Sequence, residues 1–176
     1  MKKIIIPAIL ILGMASCNKP APMVDMVGEQ NKALVQKYID ATVKGDTSSL
    51  DFFLAEKFMN YGPARKDSSN RQQELDNYKK NWRESWASAQ FNQAAIHAFT
   101  LPPGEKYPGD WVAVWGIVTV NSKTGAPSVT FNWHGVFGVK EGKIDSEQGF
   151  YDNNDILTQL GYMTMPPAPK EEAKRK

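Results

Sequence analysis

Cysteine is nearly missing from this 176-residue chain: Cys17 is the only one, so neither an internal disulfide nor a thiolate metal cluster can form. Histidine is almost as scarce. His97 and His134 are the only two, neither stands in a cluster of further His, Asp or Glu, and a zinc centre needs at least a third protein ligand. Charge of one sign is not in excess either, since 21 basic residues oppose 19 acidic ones and Lys2 and Lys3 lie in a segment read below as removed. A near-neutral mature chain has no electrostatic footprint for a polyanion, which sets nucleic acid aside as a partner. There is no glycine-rich phosphate loop, nucleotide fingerprint or internal repeat, so no cofactor is implied. No apolar run is long enough to span a bilayer as a helix. Aromatic residues, in contrast, abound: five Trp, eight Phe and six Tyr can build a packed core without covalent staples.

The apolar run beginning at Ile4 follows Lys2 and Lys3 and ends in Met14-Ala15-Ser16-Cys17. Positive residues, a short apolar segment and small residues before a cut are the parts of a secretory signal. The last four residues resemble a bacterial lipobox, with Met14 where leucine is usual. That resemblance implies a signal peptide over 1–16, lipidation of Cys17 as the mature N-terminus, and a lipid-anchored protein of the cell envelope facing the periplasm or the exterior. Asn18 resembles the outer-membrane default of enteric bacteria, which favours the outer over the inner membrane. Two or more acyl chains hold a protein firmly where one holds it only transiently. Residues 17–24, with Pro20 and Pro22, read as a tether. Residues 163–176 are proline-rich and then charged, with no apolar face to bury, and read as a disordered tail. What remains, 25–162, suits one domain.

Within that domain Leu34, Val35, Tyr38, Ile39 and Val43 recur at helical spacing and Gly45 follows as a C-cap. Asp46 or Thr47 caps a short second helix through Leu50 and Phe53, and 58–61 is strand-like before the turn at Gly62-Pro63. Ser69 or Asn70 caps a third helix with Leu75, Tyr78, Trp82 and Trp86 along one face and Arg71, Glu74 and Lys79 on the surface. The period then changes to two, which predicts strands over 91–101, 111–121 and 129–140 in an antiparallel meander. Glu141-Gly142 turns into a strand over 143–152, and 155–160 reads as a short closing helix. Helices first and strands afterwards give an α+β domain, one sheet against about three N-terminal helices.

The helix end Val43-Lys44-Gly45-Asp46, the hairpin Glu141-Gly142-Lys143-Ile144 and the closing Tyr151-Asp152 with Leu157-Thr158-Gln159-Leu160-Gly161 resemble, in order and spacing, the nuclear transport factor 2-like superfamily, and within it the SnoaL-like group. The resemblance implies a cone, in which a strongly bent antiparallel sheet wraps a helical layer around a pocket, and a homodimer formed through the sheet's outer face. In SnoaL-like polyketide cyclases the strand after the hairpin carries an acid-base aspartate. The corresponding run here is Ser146-Glu147-Gln148-Gly149, with glycine at the acid's position, and glycine can hold no proton.

That departure directs the reading to a membrane-anchored domain binding a small apolar or mixed-polarity molecule without transforming it. Trp82, Trp115 and Trp133 are candidates for a flat apolar wall. Tyr61, His97, His134 and Gln148 are candidates for polar contacts, while the bland alternative for each is core packing or an ordinary turn. A cofactor-free acid-base enzyme, of isomerase, cyclase or hydrolase type, is the alternative, with His134 or Asp152 as its base; an aspartate before a terminal helix is more commonly a cap. A dimerising interaction module of the envelope is the third reading.

Overall fold

In the computed structural model, residues 25–163 and 165 are described. The segments expected as signal peptide and tether, with Cys17, and the expected tail apart from Met163 and Met165 lie outside the described residues. The first helix, α1 (Met26–Lys44), starts at Asp25, whose carboxylate accepts from the Gly28 amide at 3.0 Å. It stops at Gly45, whose φ of 74° is the left-handed conformation that favours glycine. Gly45 is also pressed by a second element, because a Cβ there would lie 2.9 Å from the Trp82 ring.

A single turn, α2 (Leu50–Phe53), leads into β1 (Leu54–Tyr61), and a three-residue strand, β2 (Ser68–Asn70), pairs back on it. Next comes α3 (Arg71–Glu84), which opens on a capping box: the Asn70 side chain accepts from the Gln73 amide and Gln73 accepts from the Asn70 amide. Four strands follow, β3 (Trp86–Leu101), β4 (Gly109–Ser122), β5 (Val129–Lys140) and β6 (Lys143–Phe150), and then α4 (Asn153–Gln159). Trp86 therefore opens a strand instead of ending the third helix. Ser85 closes that helix, and from Trp86 onward β3 pairs with β4.

The sheet order is β2-β1-β6-β5-β4-β3. The expected meander from β3 to β6 is antiparallel throughout, but β1 joins β6 in parallel, so the sheet is mixed. β1 and β6 lie far apart in the chain, and the long connection between them allows a parallel pairing that a tight turn would forbid. Register shifts at Gln93/Ala95 and Gly138/Val139 bend the strands. The sheet curls over the helices without closing. Its inner face contributes Val112, Val114, Phe137 and Ile144 to the core, and α1 packs on it through Val35, Tyr38 and Ile39. Trp82 ties the helices together, its indole donating to the Thr42 carbonyl at 2.9 Å.

Candidate functional site

Between α1, α3 and the inner face lies a cavity of about 730 Å³, a size ordinary for small-molecule sites. Alternation on the strands decides what reaches it. On β5, Phe131, Trp133 and Phe137 point inward, and on β6 Glu147 and Gly149 do. Trp133 packs edge-on to Phe91 at 5.6 Å and tilted against Phe137 at 6.1 Å, forming the apolar wall. The helices supply Tyr38 from α1 and Glu74 and Tyr78 from α3, while Asn60 and Tyr61 end β1 at the cavity's edge. Lys66, Asp67 and Lys80 lie on its exposed rim.

Two carboxyls sit inside, each 6% exposed: Glu74 and Glu147. The Tyr38 hydroxyl donates to Glu147 Oε2 at 3.1 Å. Asn60 and Ser69 donate to Glu74 Oε2 at 3.0 and 2.5 Å. Asn60 also stands opposite Glu147 in the parallel seam, which brings the two acids to neighbouring places. Burial, reinforced by the charge of Glu74 and opposed by the Tyr38 hydrogen bond, pushes the Glu147 carboxyl up to about 8. At neutral pH it holds a proton. Burial first, and the nearby Glu147 second, also raises the Tyr38 and Tyr78 hydroxyls well above the usual tyrosine range. Burial likewise raises Tyr151, with Asp67 adding to it. The arrangement can therefore give a hydrogen bond from a neutral acid or, once ionised, hold a positive group. Among the described residues, no group of three or more His, Cys, Asp or Glu is placed to hold a metal ion.

The sequence candidates divide between two faces. Tyr61 and Trp133 line the cavity. His97, Trp115, His134 and Gln148 belong to the outer face, where alternation opposite the core side places them. Three of them form part of a ladder across four strands: His97 stacks on Trp115 at 5.5 Å, His134 meets Trp115 edge-on at 6.0 Å, and Phe150 follows at 5.8 Å from His134. Trp82 sits between the helices, outside the cavity lining. Asp152 caps α4, accepting from the Asn154 and Asp155 amides at 2.8 and 3.1 Å. Glu74, expected on the surface, is buried because Asn60 and Ser69 close over it. Glu147, passed over beside the glycine at the cyclase position, faces inward because residues two apart on a strand share a face.

Neither the protein-family models nor the curated protein sequences yield a match to this chain. Solved structures do. An LEH-like epoxide hydrolase from M. tuberculosis superposes with a TM-score of 0.61 at 16% identity, covering 76% of this chain and 91% of that one. AclR, a putative hydroxylase from Streptomyces galilaeus, gives 0.60 at 15% identity over 77% of this chain and 98% of its own. A putative polyketide cyclase from Pseudomonas putida KT2440 gives 0.55 at 18% identity over 73% and 96%. Likeness at such identities speaks for architecture alone: the chain has the cone-shaped nuclear transport factor 2-like fold.

Proposed function

We propose that this chain is a lipid-anchored protein of the cell envelope whose cone binds a small molecule of mixed polarity. One observation carries the reading: a cavity of about 730 Å³ combines an aromatic wall with two buried carboxyls at hydrogen-bonding distance from neutral donors. Rings give area and shape, and a few fixed polar groups give orientation. Native mass spectrometry of the mature chain tests it. A small molecule released on gentle activation, and lost in Trp133→Arg, which replaces a ring of the wall by a cation, is the expected result; a chain that carries nothing and binds no member of a mixed-polarity library would overturn it. The same spectrum reads the anchor, because acylated Cys17 is expected and an unmodified N-terminal residue would refute lipidation.

A second reading, cofactor-free acid-base chemistry, is favoured by Glu147. A carboxyl near 8 can accept or deliver a proton close to neutrality, and the neighbouring Glu74 gives the pair two different environments. In this reading Glu147 takes the acid-base role in place of His134 and Asp152. A third, self-association through the outer face, is favoured by the exposed ladder around Trp115.

A further inference from the structure

Glu74 and Glu147 share one cavity, and among the described residues no cation is paired with either. Among the described residues, every hydrogen-bond donor to them is neutral: Tyr38, Asn60 and Ser69. Among the described residues neither acid enters an ion pair, and on each carboxyl only Oε2 is engaged, which leaves Oε1 of each for a ligand. Buried carboxylates are ordinarily paired. The lysines of the lining, Lys66 and Lys80, are exposed at the rim and screened by water. A proton fills that place on Glu147 at neutral pH, and a cationic ligand is what could take it over.

The wall says what kind of cation it is. A metal ion demands oxygen or nitrogen ligands on most sides, whereas Glu147 is flanked by rings. Tyr38 donates to it, Phe137 is its register partner on β5, and the Trp133 indole lies 3.4 Å from where a Cβ of Gly149 would stand. Aromatic rings beside a buried carboxylate suit an alkylated ammonium, which gains from ring quadrupoles and loses little hydration. We propose that the cavity selects ligands bearing an organic ammonium group, seated between the carboxyls of Glu147 and Glu74 and against the rings of Tyr38 and Trp133. This rests on the reading of the cone as a binding pocket and names the chemical class it takes.

A proton competes with such a ligand. The titratable and charged groups facing Glu147 are Tyr38 on α1, Glu74 and Tyr78 on α3, Tyr151 after β6, and Asp67, Lys66 and Lys80 at the rim. Glu147 must ionise to hold a cation, so affinity should rise by up to about tenfold per pH unit below 8 and level off above it.

The test compares 4-(trimethylammonio)benzyl alcohol with its uncharged isostere, 4-tert-butylbenzyl alcohol, by titration calorimetry on the mature chain at pH 6 and pH 9. The cation should bind about tenfold tighter or more at pH 9 and lose most of that advantage at pH 6. Glu147→Gln and Glu74→Gln keep an acceptor for the same donors, so each should weaken the cation by about tenfold while sparing the isostere. Equal affinity of the two alcohols in the parent chain overturns this inference and leaves the binding pocket standing. If neither alcohol binds, the inference falls, and the pocket falls with it when native mass spectrometry also finds no carried molecule.

Discussion

A buried acid that keeps its proton leaves a mark on stability. Glu147 is pushed from 4.5 up to about 8 by burial, so between those values the folded chain holds a proton that the unfolded chain has released. Stability must therefore fall as pH rises through that window, by up to about 1.4 kcal/mol per pH unit from this group alone, and stop falling above it. Glu147→Gln cannot ionise. Urea midpoints should match the parent near pH 4.5 and exceed it clearly at pH 8, and an equal gap at both pH values would refute the assignment. Glu147 was legible in the sequence: it stands two positions before Gly149, on the same face of the strand, where counting positions hides an acid that counting faces finds. Glu74 was not. On a helix written with Arg71 and Lys79 it reads as solvent-facing, and what buries it is Ser69 on a three-residue strand too short to leave a pattern.

Among the elements, α3 carries both an acid and a tyrosine of the cavity, so its first turn matters beyond local stability. Asn70→Ala removes the side-chain half of the capping box and should cost about 1 kcal/mol, read as a lower urea midpoint, with Asn70→Ser recovering most of it. The caps were visible in advance: Gly45 behind a helical stripe and Asn70 before one are strong local punctuation. The boundary between α3 and β3 was not, because Trp82 and Trp86 lie four apart, as on one helical face. They do meet, at 5.8 Å edge to face, but across a helix and a strand. Local spacing cannot separate those two ways of bringing rings together.

For the molecule taken together, the four-stranded meander followed from alternation and turns, and the cone from the family resemblance. The parallel seam of β1 and β6 did not, since pairing between distant segments leaves no local signature. The outer face carries the next expectation. Trp115, Ile117 and Phe150 are each more than two-fifths exposed, and such a patch favours burial against a second copy. Trp115→Glu should turn a dimer into a monomer by analytical ultracentrifugation without altering the circular dichroism. A parent chain that sediments as a monomer at high concentration would refute self-association. The hydrogen bond from Tyr38 to Glu147 joins residues 109 positions apart, and this sets an order in time. In whichever compartment the chain folds, Tyr38 and Glu74 emerge well before the acid that completes their chamber, and such distant closures are slow. A nascent polypeptide halted upstream of β6 is thus no weaker receptor. It is an unfinished apolar trough with β1 paired only to the short β2 and its other edge open, the sort of species that chaperones and proteases intercept.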